Sequence, residues 1–135
     1  MRIMAIDYGD ARTGIAVSDL TGSIAGEAFV VEERDAAKLA ERIAAEAQTR
    51  EAATVILGYP KNMDGSLGAR AEKSGALAEL LRGLGLSVVL WDERRTTIAA
   101  HDILSANNRH GKRRKQTVDA VAATLILEGY LASAR

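Results

Sequence analysis

Three acidic residues stand out because each adjoins an apolar segment. Asp7 ends the apolar run Arg2 to Asp7, Glu93 comes two residues after the apolar run Leu86 to Trp91, and Asp119 lies near the start of a predicted helix. An ionised carboxylate in apolar surroundings costs free energy unless a cation or a hydrogen-bond donor compensates it. Two interpretations stay open for each acid. It belongs to a site that needs its charge, or it is an ordinary turn, strand-end or helix-start residue.

Asp119 belongs to a helical stripe of small and apolar residues. At three- and four-residue spacing it shares one helix face with Ala122, Ala123 and Ile126. Small side chains let a helix approach a sheet closely, so this face would bring Asp119 towards the strand ends that carry the other two acids. Three converging carboxylates would repel each other, and a divalent cation removes that conflict. A carboxylate-bound cation with open positions suits in-line displacement at phosphorus.

Composition narrows the alternatives for such a site. The 135-residue chain contains no cysteine and two histidines, which excludes disulfides, thiolate nucleophiles and cysteine-ligated metals. Carboxylate ligands favour hard cations, so we expect Mg²⁺ or Mn²⁺.

No apolar run reaches the ~20 residues of a membrane span, and an acid ends the N-terminal apolar run too early for a signal peptide. We therefore expect a cytoplasmic protein without a membrane partner, formed by one domain over residues 1–135.

The chain is neutral overall, but its charge is unevenly distributed. It holds 18 basic and 18 acidic residues, and five of the basic ones lie in the acid-free segment Arg109 to Lys115. The rest of the chain keeps 13 basic and 18 acidic residues, a net charge of −5. A dense basic segment on an acidic body favours nucleic-acid binding over a simple solvated charge run. We expect it to be a mobile loop that supplies much of the affinity.

The spacing of apolar residues predicts an α/β protein in which strands come first. Antiparallel strands that lead into right-handed parallel crossovers form one mixed central sheet with helices on both faces. The predicted elements are strands over Arg2 to Asp7, Thr13 to Ser18 and Ile24 to Val31, a helix capped by Asp35, a buried strand over Thr54 to Gly58, a helix capped by Ser66 and running through Leu84, a buried strand over Leu86 to Trp91, and helices capped by Thr97 and Thr117.

Five motifs follow one another in a set order along nearly the whole chain. They are Ile6-Asp7-Tyr8-Gly9, Thr13-Gly14-Ile15-Ala16-Val17, Gly58-Tyr59-Pro60-Lys61-Asn62-Met63-Asp64-Gly65, Asp92-Glu93-Arg94-Arg95-Thr96-Thr97 and Val118-Asp119-Ala120-Val121-Ala122-Ala123. This ordered set resembles the YqgF family, whose members are also called Holliday-junction-resolvase-like proteins or pre-16S ribosomal RNA nucleases.

The resemblance implies a ribonuclease H-like fold with the order βββαβαβα and a metal-dependent nuclease activity. The implied substrate is structured RNA, in 5′-end maturation of pre-16S ribosomal RNA, with branched or single-stranded DNA as further substrates. The family's catalytic, metal-binding acids fall on Asp7, Glu93 and Asp119. The last helix offers one acid near its start where true junction resolvases have two, so a second metal would be held less well.

The candidate nucleic-acid contacts are basic or amide side chains near those acids, because such groups pair with phosphates and base edges. Two of them lie in the loop Gly58 to Gly65, which can also be read as a plain strand-to-helix turn. We expect a monomer or a homodimer. The full set of contacts is Arg12, Lys61, Asn62, Arg94, Arg95, Arg109, Lys112, Arg113, Arg114 and Lys115.

Two other functions compete with a nuclease. Asp7-Tyr8-Gly9 with Gly14 also resembles the first phosphate loop of actin-like and sugar-kinase ATPases. Those enzymes clamp nucleotide between two lobes, and this chain has the length of one. The other competitor is a nucleic-acid or ribosome-assembly binding module without catalysis. A nucleotide titration and a cleavage assay with and without Mn²⁺ distinguish these functions.

Overall fold

The computed structural model describes residues 2–22, 24–59, 68–92 and 111–133, with the side chains of the last range described from Val118 onward. Five strands and three helices lie in these ranges. They are β1 (Arg2–Asp7), β2 (Arg12–Ser18), β3 (Ala25–Glu32), α1 (Ala36–Thr49), β4 (Ala52–Tyr59), α2 (Ala69–Gly83), β5 (Ser87–Asp92) and α3 (Gly111–Ser133).

The strands form one mixed sheet in the order β3-β2-β1-β4-β5, which confirms the predicted fold class. β1, β2 and β3 pair antiparallel, whereas β1, β4 and β5 run parallel. The parallel strands therefore end at one common edge of the sheet. In open α/β sheets this carboxyl edge is where binding and catalytic sites form.

The two faces of the sheet carry separate apolar cores. Along β1, Met4 and Ile6 face the core formed with α1 and α2. Ala5 faces the other core, where Ala16 of β2 packs with Ala123 of α3. Because side chains alternate along a strand, Asp7 points to the same face as Ala5, towards α3. The predicted placement of Asp7 beside the last helix is consistent with this packing.

The first residues of the helices show which of the predicted N-cap residues are correct. Asp35 caps α1 as expected, since its carboxylate accepts a hydrogen bond from the backbone N–H of Lys38 at 3.2 Å. The prediction of Ser66 as the next cap is wrong, because α2 begins at Ala69 after Gly68, which makes no side-chain cap bond. The prediction of Thr117 is also wrong, because α3 already begins at Gly111. Thr97 lies outside the described residues.

The early start of α3 corrects the interpretation of the basic segment. The predicted loop was Arg109 to Lys115, yet the backbone is helical from Gly111. Lysine and arginine have high helix propensity because they lose little side-chain freedom in a helix. That preference outweighs the mutual repulsion of neighbouring charges, so Lys112 to Lys115 form the first turns of α3. Arg109 lies outside the described residues.

β5 is less buried than predicted. Val89 and Leu90 are 38% and 36% exposed, respectively. A short apolar run is typical of a strand covered on both faces, but β5 lies at the end of the sheet order beside β4. Leu84, predicted on the apolar stripe of α2, is also exposed at 48% because it caps the helix end.

Gly75, in the middle of α2, provides a test of how far helix propensity limits stability. A Cβ atom added at Gly75 would meet no atom within 4 Å. We expect Gly75→Ala to raise the free energy of unfolding by about 0.5–1 kcal/mol, because alanine loses less backbone entropy than glycine on folding. Urea denaturation measures the change. A variant less stable than the parent would show that position 75 has no room for an alanine side chain.

Candidate active site

Gly14 brings α3 against the strand pair that carries Asp7. Asp7 and Gly14 are direct partners in the antiparallel ladder of β1 and β2. An ideal Cβ at Gly14 would lie 1.9 Å from the carbonyl oxygen of Asp119, so the helix backbone occupies the space that any other side chain would fill. Asp119 therefore lies one strand away from Asp7, at the same edge and on the same face of the sheet.

Arg12, at the start of β2, faces Asp119. The Arg12 Nε and Asp119 Oδ2 atoms are 3.6 Å apart, and the two side chains are only 30% and 24% exposed. The Nε atom is buried and has no hydrogen-bond partner among the described residues. The sequence predicts that Arg12 contacts nucleic acid. The structure places its guanidinium beside a candidate metal ligand.

A groove opens beside this ion pair. Its volume is about 420 Å³, and it extends from the β1–β2 turn to the segment that joins β3 to α1. Its walls carry two cationic and two acidic side chains, so it has no uniform charge. The lining residues are Ala11, Arg12, Glu32, Glu33 and Arg34.

The third candidate acid, Glu93, lies outside the described residues. It directly follows Asp92, the last residue of β5, which pairs with Tyr59 of β4. With β4 between them, the ends of β1 and β5 are about 10 Å apart at the usual strand spacing. Within the part of the chain that the structure describes, no three histidine or acidic residues form a metal-binding group. The described ranges thus supply two of the three predicted ligands.

The side chains of the other predicted nucleic-acid contacts are not described by the structure. Lys61, Asn62, Arg94, Arg95 and Arg109 lie outside the described residues. The four others belong to the first turns of α3, whose side chains are not described; they are Lys112, Arg113, Arg114 and Lys115.

The turn between β1 and β2 is held by α2, a feature that the sequence analysis missed. Arg70 donates hydrogen bonds to the backbone carbonyl of Tyr8 and, at 2.8 Å, to the carboxylate of Asp10. Lys73 donates to the same carboxylate at 3.2 Å. The hydrogen bond from Lys73, with the positive charge of Arg70, lowers the pKa of Asp10 below its ordinary value. No local spacing links residues so far apart in sequence.

This geometry defines a class of protein. A five-stranded mixed sheet with acids at the carboxyl edge and a helix close over that edge is a ribonuclease H-like fold. RuvC of Thermus thermophilus in complex with a Holliday junction substrate superposes with a TM-score of 0.63 at 14% identity, covering 99% of this chain and 96% of RuvC. Fowlpox virus resolvase with Holliday junction DNA superposes at 0.62 and 13%, covering 99% of both chains. These similarities establish the fold.

The chain belongs to the RuvX family, also called YqgF and described as Holliday junction resolvase, whose sequence model matches residues 1–133. A relative from Halothermothrix orenii is 42% identical over 132 residues, covering 97% of this chain and 94% of its own length. One from Heliobacterium modesticaldum is 44% identical over 135 residues, covering 97% and 89%. Both are named "Putative pre-16S rRNA nuclease". The expected family is confirmed, and the protein is a nuclease, a hydrolase of phosphodiester bonds.

Proposed function

We propose that this protein is a nuclease that cleaves precursor 16S ribosomal RNA near its 5′ end and depends on Mg²⁺ or Mn²⁺. The observation that carries the proposal is the contact between Gly14 and Asp119, which sets Asp119 beside the end of the strand that carries Asp7. The names of the relatives support the RNA substrate. One domain over residues 1–135 would perform this function in the cytoplasm. Within the described residues no helix is long and apolar enough to cross a membrane.

The acids of the site fit a hard divalent cation. Asp7 and Asp119 offer carboxylate oxygens, the donors that Mg²⁺ and Mn²⁺ prefer, and we assign Glu93 as the third ligand at the same sheet edge. The Arg12 guanidinium lies 3.6 Å from Asp119, so a bound cation would share this carboxylate with it. When bound, the metal would activate the attacking water and stabilise the leaving oxygen. The close backbone contact between Gly14 and Asp119 fixes the position of Asp119 for this role.

The basic residues of the chain would hold the substrate. Arg12 lies beside Asp119 with its side chain 30% exposed, and an arginine so placed can pair with a phosphate that enters the site. Lys112 to Lys115 precede Asp119 on the same helix, and at about 1.5 Å rise per residue the backbone of Lys115 lies about 6 Å along the axis from Asp119. A phosphate backbone bound along the start of α3 would therefore lead into the site. We also assign Lys61, Asn62, Arg94, Arg95 and Arg109 to substrate binding.

The test of this function is a cleavage assay on two substrates. Labelled precursor RNA with a 5′ extension and a four-way DNA junction are each incubated with Mg²⁺, with Mn²⁺ or with a chelator, and product lengths are measured. We expect metal-dependent shortening of the RNA. Binding without cleavage of either substrate would favour the non-catalytic binding module, and cleavage of the junction alone would favour a DNA resolvase.

Replacement of Arg113, Arg114 and Lys115 by alanine tests whether the basic start of α3 binds the phosphate backbone of the substrate. Each lysine or arginine that neutralises a phosphate releases counterions, so the triple variant should lower the slope of log affinity against log salt by about 2. RNA affinity should fall similarly for unrelated sequences. Fluorescence anisotropy at several salt concentrations measures both effects.

The matched control removes three basic residues from the helices on the opposite face of the sheet. These are Lys38, Arg42 and Arg82, all exposed on α1 or α2. Replacing them with alanine changes the net charge equally, so it separates a local track from a general charge effect. Equal salt slopes for parent and Arg113, Arg114, Lys115 variant would contradict the assignment.

A further inference from the structure

We propose that Arg70 is a positioning residue for the active site, acting through the turn between β1 and β2. This inference rests on the proposed function, because it concerns how Asp7 is held for metal binding and cleavage. The turn begins directly after Asp7 and ends at Arg12. Whatever fixes its backbone therefore fixes both the acid and the arginine that faces Asp119.

Arg70 holds this turn at three points. Its guanidinium donates one hydrogen bond to the carbonyl oxygen of Tyr8, the residue after Asp7, and another to Asp10 Oδ1 at 2.8 Å. The guanidinium carbon also lies 5.9 Å from the centre of the Tyr8 ring, within cation–π range. The planar fork of an arginine can bridge two acceptors in this way, and a lysine ammonium cannot reproduce its geometry.

The turn itself leaves little freedom for a substitute arrangement. A Cβ at Gly9 would lie 2.1 Å from the carbonyl oxygen of Arg12, so the two ends of the turn are in close backbone contact. A shift of Tyr8 would thus be transmitted both to Asp7 and to Arg12. Lys73 provides a natural comparison, because its bond goes to Asp10 alone, at 3.2 Å.

Because the ion pair between Arg70 and Asp10 is exposed, the effect of Arg70 on the position of catalytic groups can be distinguished from its effect on folding stability. The side chains of Arg70 and Asp10 are 43% and 63% exposed, and ion pairs this exposed contribute little to the free energy of folding. A displacement of about 1 Å in a catalytic group, by contrast, can reduce a reaction rate about 100-fold. Loss of Arg70 should therefore affect turnover and metal affinity far more than the melting temperature.

The experiment compares Arg70→Ala, Arg70→Lys and Lys73→Ala with the parent. We measure kcat and KM for the RNA, the dissociation constant for Mn²⁺ by calorimetry without RNA, and the melting temperature. Arg70→Ala should lower kcat by about 10- to 100-fold with KM within about twofold of the parent, and should weaken Mn²⁺ binding. Arg70→Lys should recover only part of the loss, and Lys73→Ala should behave like the parent.

The outcomes separate this inference from the proposed function. Parent-like kcat and Mn²⁺ affinity in Arg70→Ala would overturn the inference alone, as would an equal loss in Lys73→Ala. A parent protein that binds Mn²⁺ but cleaves no substrate would overturn the proposed function, and weaker Mn²⁺ binding in Arg70→Ala would then still support the positioning role. Absence of Mn²⁺ binding in the parent would overturn both.

Discussion

Gly14→Ala should abolish cleavage and lower the free energy of unfolding by about 2–3 kcal/mol or more. The added Cβ would lie 1.9 Å from the carbonyl oxygen of Asp119, whereas ordinary contact begins near 3.4 Å. Backbone atoms on both sides cannot rotate away, so α3 must move off the sheet by about 1.5 Å. That movement carries Asp119 away from Asp7 and opens the small-residue packing between α3 and β2.

Gly75→Ala is the matched control, since it makes the same chemical change in open space on α2. Combining the two substitutions should recover part of the stability lost in Gly14→Ala without restoring cleavage. Urea denaturation and the Mn²⁺-dependent cleavage assay measure the two effects separately. Full cleavage by a stably folded Gly14→Ala protein would show that the spacing between α3 and β2 does not set the position of the acid.

The parts of the site that could be predicted from the sequence depend on local periodicity. Alternation along β1 puts Asp7 on the face of Ala5, and the helical stripe puts Asp119 on the face of Ala123. Both alanines belong to the same buried cluster, as these patterns predict. Gly14 carried a readable signal as well, because glycine inside a strand often marks close approach of another backbone. The helix that packs against Gly14 could not be predicted, because no local sequence feature indicates which helix approaches this strand.

Other features were unpredictable for physical reasons. The exposure of β5 depends on the order of strands in the sheet, which a short apolar run does not encode. The start of α3 depends on whether helix propensity or charge repulsion dominates over Lys112 to Lys115. The contact of Arg70 with Tyr8 and Asp10 joins residues about 60 positions apart, and only the packing of α2 beside the turn brings them together.

Exchange of Asp7 for asparagine should stop cleavage while leaving RNA binding intact. Asparagine keeps the size of the side chain, so the strand end and its pairing with Gly14 should persist. It lacks the negative charge that a hard divalent cation requires, so Mn²⁺ affinity and cleavage should each fall by about 100-fold or more. The phosphate contacts of the basic residues do not depend on this charge, and RNA affinity should stay within about twofold.

Asp35→Asn is the control for this exchange, because it removes one carboxylate in the same way from a residue whose role is a helix cap. Asparagine caps helices as well as aspartate does, so this variant should fold and cleave like the parent. If Asp7 were only a turn residue, Asp7→Asn would still cleave, and any loss would follow its melting temperature. With one repelling carboxylate removed, we expect the metal-free melting temperature of Asp7→Asn to equal or exceed that of the parent. Parent-like cleavage by Asp7→Asn would rule out the three-carboxylate site.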